Sequence, residues 1–336
     1  MALLDPGFEL TLRPMKYPQF YEAYKDSWKN HWMVEEVNFA PDLHDLNHKL
    51  TDAQKFMVRK LVAFFSTGDQ IVSNNLVLNL YKHINSPEAR MYLGRQLAEE
   101  MVHVDFYKQL LDYYIQDPQE QIEAFAAVDN IPSIKRKADF AFKWIDSLST
   151  TDILRTTDDR RNFLMVLITF AGAIEGLFFM GAFAYVYYMR SLGLLPGLAE
   201  GTNWVFRDES CHMNFAFSVI DVIRAEEPEL FNAEFEARVV EMLKEALECE
   251  MQFAEDALEL GLPGFTAVKM RQFLEFCVDA RLRRLNMKEI YGTANPFSFM
   301  VLQDMAPLTN FFEKRVTEYA IGNTGTADDM SFDEDF

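Results

Sequence analysis

The chain has 336 residues, 49% of them hydrophobic, with 30 Phe and 17 Met against 14 Gly and 12 Pro, a balance that excludes a loop-rich or collagen-like protein and favours long helices around a substantial core. Asp and Glu outnumber Lys and Arg by 52 to 32, for a formal net charge of −20. That excludes a nucleic-acid backbone as partner, because phosphate binding needs clustered cations, and it leaves room for an oxygen-rich metal site.

The N-terminus, MALLDPGFELTLRP, has neither a basic segment nor an apolar run of a secretory leader. Three cysteines, Cys211, Cys249 and Cys277, show no CxxC spacing. Both features predict a reducing, cytoplasmic protein. Residues 1–50 mix aromatic, charged and Pro residues (Pro6, Pro14, Pro18, Pro41) and predict short helices and connections. From Thr51 the apolar spacing becomes helical (Phe56, Leu61, Val62, Phe64, Phe65), which predicts a helix from a Thr51 or Asp52 cap to about Ile84. Asn85-Ser86-Pro87 breaks it, and Ser86 can cap a second helix over about 87–116.

Asp117-Pro118 and the stretch from Asp129 to Ser133 punctuate shorter helices, and Thr156-Thr157-Asp158 offers caps for a long apolar helix containing Glu175. The run from Phe163 to Met189 is apolar enough to mimic a membrane span, but a mid-bilayer carboxylate is costly, so a buried core helix is the reading. Gly193 to Gly201, with Pro196, is expected to end that helix; later helices are predicted over about 203–225, 228–261, 264–287 and 296–319. The tail from Gly322, rich in Gly, Asp and Ser, reads as disordered in isolation. No strand-period run stands out, and the predicted class is all-α.

Glu-x-x-His occurs twice on predicted helices, as Glu100 with His103 and Glu209 with His212, and three-residue spacing puts both side chains on one face. Either pair alone is accounted for by a solvated face. The symmetry about the turns changes that: Asp69 lies 18 residues before Pro87, with Glu100 and His103 13 and 16 after it, while Glu175 lies 18 before Gly193, with Glu209 and His212 16 and 19 after it. In an antiparallel hairpin such residues sit at about the same height. Two hairpins packed face to face would supply four carboxylates and two imidazoles, the ligand set of ferritin-like di-metal carboxylate bundles. The surroundings of Asp69 (Phe64, Phe65, Ile71) and Glu175 (Ile174, Leu177, Phe178) are apolar and lack basic partners, so a metal explains these carboxylates better than buried salt bridges do. Carboxylate-rich ligation with one His per ion suits Fe or Mn. Tyr107, four residues after His103, is expected beside the centre.

FFSTGDQIVSNNL (Asp69), QLAEEMVHVDFY (Glu100, His103, Tyr107), IEGLFFMGAFA (Glu175), RDESCH (Asp208, Glu209, His212) and NFFEKRVTEY (Glu313, Tyr319) together resemble the small, radical-generating subunit of class I ribonucleotide reductase over nearly the whole chain. The resemblance implies an oxidoreductase whose dinuclear metal centre, activated by O2 or a reduced oxygen species, generates a one-electron oxidant stored near Tyr107 and passed to a large subunit that reduces ribonucleotides. It implies that Trp32, Asp208 and Tyr319 form the transfer route, with Glu313 an accessory to Tyr319, and that the acidic tail ending SFDEDF docks on the large subunit through Phe332 and Phe336. The domain organisation expected is one ferritin-like helical domain over 1–319 and a docking tail over 320–336. Because Tyr107 and Asp69 stand where the mixed Mn/Fe variant of the family has Phe and Glu, the resemblance favours two Fe or two Mn over a mixed pair. It also implies a homodimer and leaves room for a flavoprotein activator. Two other readings share part of the pattern: a ligand-binding di-metal oxidase, which lacks the docking tail, and a ferritin-type storage bundle, which takes up more than two ions per chain.

Overall fold

The computed structural model describes residues 2–75, 79–145, 148 and 151–300, with the side chains of residues 66–75, Phe125 and Asp129 outside the description. The chain divides into two units, Met1–Pro296 and Phe297–Phe336, and the helices described below belong to the first. The expected boundary at 319/320, the last predicted helix beyond Met300 and the docking tail lie outside the described residues.

The chain is all-α, with no strand among the described residues. Helices α1 (Pro18–Ser27) and α2 (Ala40–His48) precede α3 (Asp52–Asn75), and α4 (Pro87–Tyr114) starts at the expected break. Ser86 Oγ accepts the Ala89 N–H at 3.1 Å, so the residue that interrupts one helix caps the next. Asp117 caps α5 (Pro118–Phe125) by accepting the Gln119 and Glu120 N–H groups, and α6 (Ala127–Asn130) and α7 (Pro132–Ile145) follow. Thr156 and Asp159 form a reciprocal capping box for α8 (Thr157–Ile168).

The helical run from Thr157 to Ser191 does not keep one geometry. Between α8 and α9 (Met180–Ser191), residues Thr169–Phe179 form a π-helix with Glu175 inside it. The wider π turn advances the side chains differently along the axis and is a device found at functional sites. Composition alone does not separate it from an ordinary apolar helix. The most apolar window of this run is wholly buried in the fold, as expected for a core helix.

Gly193, at φ 71°, ends α9, with its N–H donating to Arg190 O. The next helix, α10 (Pro196–Glu226), starts well before the expected residue 203, because Pro196 opens it rather than lying in a connection. Its first N–H groups are satisfied from far away in sequence: Asp42 on α2 accepts from Gly197 at 2.8 Å and Leu198 at 2.7 Å, and Asp45 accepts from Leu195 at 2.9 Å. No local residue signals this cap. Helices α11 (Ala233–Ala257), capped by Asn232, and α12 (Ala267–Arg284), capped by Thr266, complete the first unit.

Helix α3 packs on α4, and the π segment with α9 packs on α10, so both predicted hairpins exist. Helix α10 also packs on α4, which brings the hairpins together, and α11 covers the outer side of the π segment with α7 and α12 against it. Gly201 lets α10 approach α4 closely: a Cβ there would lie 2.2 Å from the Phe106 ring.

Candidate metal centre

Helix α4 supplies Glu100 and His103 from one face, α10 supplies Glu209 and His212 from one face, and the π segment presents Glu175 between them. Ligand atoms of Glu100, Glu175, Glu209 and His212 all lie within 4.8 Å of one another, and all four residues are buried. His103 joins them, its Nδ1 3.2 Å from Glu209 Oε1 and 3.6 Å from Glu100 Oε2. His212 Nδ1 lies 3.2 Å from Glu100 Oε1 and 3.4 Å from Glu209 Oε2. Glu100 and Glu209 therefore face both imidazoles, so either carboxylate could serve an ion held by His103 or by His212. The backbone of Asp69 lies in α3; its side chain is outside the description.

Six buried ligand atoms, both oxygens of Glu100, both oxygens of Glu209 and the Nδ1 atoms of His103 and His212, make no hydrogen bond although all converge on one place. Buried polar groups nearly always make hydrogen bonds, and such a cluster without them fits cations that these atoms would coordinate. The donor set of carboxylate oxygens and imidazole nitrogens fits Fe or Mn.

The far sides of both imidazoles are engaged. His103 Nε2 lies 3.3 Å from Asp208 Oδ2, and His212 Nε2 lies 2.9 Å from Glu99 Oε2. A carboxylate only accepts, so each Nε2 donates to its carboxylate, and with ions bound each Nδ1 would offer its lone pair to the centre. Asp208 Oδ2 also accepts the Trp32 Nε1–H at 2.7 Å, and Arg207 donates to its other oxygen at 3.0 Å. The Trp32 ring stacks 6.2 Å from His103 and lies 5.2 Å from Trp204. Burial opposes charge on Asp208, but His103 and Arg207 hold its carboxyl below the usual range.

Tyr107 is 1% exposed, stacked on Phe65 with ring centroids 4.3 Å apart and a 7° interplanar angle, and flanked by Phe106 at 5.2 Å. Tyr319 and Glu313 lie outside the described residues. Glu99, Arg95 and Gln96 are contributors that the reading of motifs missed. Gln96 donates to Glu175 Oε1 at 3.3 Å, and the available signal was their position on the Glu100 face, or one step from it, within the same two turns of helix.

Burial and the neighbouring Glu209 push the Glu175 carboxyl well above its ordinary value. For His212, burial disfavours the charge, but contacts from Glu100, Glu209 and Glu99 outweigh it and raise its pKa, and Asp208, Glu100 and Glu209 do the same for His103. The metal-free form thus holds protons that metal ions must displace. Loading with a divalent ion at neutral pH is expected to release protons measurable by pH-stat, and apparent affinity should rise with pH. An affinity independent of pH from mildly acid to neutral conditions would contradict this placement of charge.

Three helical elements carrying two Glu-x-x-His pairs and a facing carboxylate define a ferritin-like protein with a dinuclear metal site. Residues 9–296 match the family described as ribonucleotide reductase, small chain, and the chain belongs to that family. It is 36% identical over 342 residues, covering 97% of this chain and 79% of the other, to the ribonucleoside-diphosphate reductase small chain of Neurospora crassa. Its fold is similar to the ribonucleotide reductase R2 subunit from Clostridium botulinum (TM-score 0.82, 18% identity, 90% of this chain and 94% of that one). It is also similar to the ribonucleotide reductase Rnr4 homodimer from Saccharomyces cerevisiae (TM-score 0.73, 26% identity, 95% and 92% covered). The chain is thus the radical-generating small subunit of an oxidoreductase for ribonucleotide reduction.

Proposed function

We propose that Asp69, Glu100, His103, Glu175, Glu209 and His212 hold two Fe or two Mn ions, and that Tyr107, Trp32, Asp208, Tyr319 and Glu313 carry the stored oxidising equivalent toward a large subunit. The observation that carries this reading is the convergence of six buried ligand atoms that make no hydrogen bond, beside a chain running His103, Asp208, Trp32. When bound, the metal pair supplies the one-electron oxidant by reaction with O2 or a reduced oxygen species.

The protein's own residues do the rest. Glu100 and Glu209 would help hold the ions, Gln96 orients Glu175, and the aromatic packing around Tyr107 keeps water and reductants from its phenol. Asp208 accepts hydrogen bonds from both Trp32 and His103, so a proton can stay on this path while an electron crosses it. The acidic tail, anchored by Phe332 and Phe336, docks on the large subunit, and the active form is a homodimer that a flavoprotein can activate. The protein works in the cytoplasm.

Removing residues 331–336 tests the partner reading. The full metal-loaded chain, mixed with a class I large subunit, should reduce ribonucleoside diphosphates; the shortened chain should keep its metal and radical signal yet lose turnover. Failure of the loaded full chain with any such subunit would overturn the function, and retained turnover by the shortened chain would overturn the docking role.

A further inference from the structure

The two imidazoles at the centre are backed by separate carboxylates, each paired with its own arginine. Behind His103, Asp208 leads to Trp32, an oxidisable ring. Behind His212, Glu99 leads to a cation: Glu99 Oε1 lies 3.0 Å from Arg95 Nη2, and the Arg95 guanidinium lies 4.6 Å over the Trp28 ring, with Nη2 3.4 Å from His31 Nδ1. Glu99 and Arg95 are 4% and 5% exposed, so this pair is built into the core and not a surface contact. Arg95 and Glu99 are four residues apart on α4, with Glu99 directly before Glu100, so a single rigid helix holds the backing group and two of the ligands.

We propose that Glu99, held by Arg95, is a positioning residue that fixes the His212 ring and thereby sets the affinity of one ion of the pair separately from the other. The inference rests on the dinuclear reading above. Glu99 accepts from His212 Nε2, so that with ions bound Nδ1 would offer its lone pair to the centre beside Glu100 and Glu209. Arg95 compensates the carboxylate, so the ring is oriented without an unbalanced anion beside an already acidic centre. Loss of Glu99 would let the ring turn or change tautomer, whereas His103 would keep Asp208 and be unaffected.

The test is titration of the full-length, metal-stripped chain with Mn(II), following free and paired ions by electron paramagnetic resonance, in wild type, Glu99→Gln and Glu99→Ala. Wild type should take two ions. Glu99→Gln, which keeps an acceptor but not the charge, should weaken one of them about tenfold, and Glu99→Ala up to about 100-fold, with the other ion bound as before. Unchanged binding of both ions by either folded variant, or equal weakening of both, would overturn the proposal. If Glu99→Ala fails to fold because Arg95 is left unpaired, the isosteric Glu99→Gln decides alone. A wild-type chain that takes fewer than two ions would overturn the dinuclear reading instead, so the two failures are distinct.

Discussion

Tyr107→Phe is expected to abolish the narrow organic radical signal of the metal-loaded protein and to take ribonucleotide reduction down to background. The change removes one oxygen from a ring that is 1% exposed and stacked on Phe65 at 4.3 Å, so helix content and metal stoichiometry should stay at wild-type values. What is lost is the O–H group from which an electron and a proton can both depart; a Phe ring offers no such group. The neighbours Phe65 and Phe106 are harder to oxidise than a phenol, so the hole has no replacement on that side. The spectrum of the purified, metal-quantified variant decides the matter. A multiline metal-centred signal that survives together with activity would show that the oxidant resides on the metal pair and that Tyr107 is a bystander.

Lys137→Ala is expected to destabilise the fold by about 3–5 kcal/mol, because it strands a buried carboxylate. Lys137 on α7 and Glu250 on α11 are 3% and 0% exposed in their side chains, with Nζ 2.6 Å from Oε2. The ammonium also sits 3.8 Å from the Phe64 ring centroid and 4.0 Å from that of Phe253. A Cβ at Gly181 would lie 2.5 Å from Glu250 Oε1, so the glycine makes the room this carboxyl occupies. A loss of that size should lower the thermal midpoint by roughly 10 °C in calorimetry. The double variant Lys137→Met with Glu250→Leu should recover most of it, since an apolar pair of similar volume avoids the desolvation of two charges. A single Lys137→Ala that melts at the wild-type temperature would remove the pair as a structural element.

The same pair predicts a pH dependence. Burial pushes the Glu250 carboxyl up to about 7, with Lys137 pulling it back down. Between its ordinary value of 4.5 and 7 the folded chain then binds more proton than the unfolded chain does, so this group's contribution to stability is present at acid pH and is lost as pH rises through that window. The full swing is on the order of 3 kcal/mol. Urea midpoints at acid and neutral pH should therefore differ less in the double variant than in wild type, because it carries no titrating group at this place.

The all-α class, the break and cap at Ser86-Pro87, the capping residues at Thr156, and the two Glu-x-x-His pairs were legible because each rests on short-range spacing. Helical periodicity places Glu100 with His103 and Glu209 with His212 without any tertiary information, and the equal distances from the two turns bring them together. The amino-acid sequence by itself therefore determined which residues could meet. Tertiary structure alone decided how they meet. Glu100 and Glu209 face both imidazoles because α4 and α10 pack against each other, a contact between hairpins that no local pattern encodes. The π geometry around Glu175, the start of α10 at Pro196 under the reach of Asp42 and Asp45, and the backing of His212 by Glu99 and Arg95 have the same origin. Each satisfies a buried polar group with a partner, or sets a backbone geometry, supplied by packing rather than by neighbours in the chain.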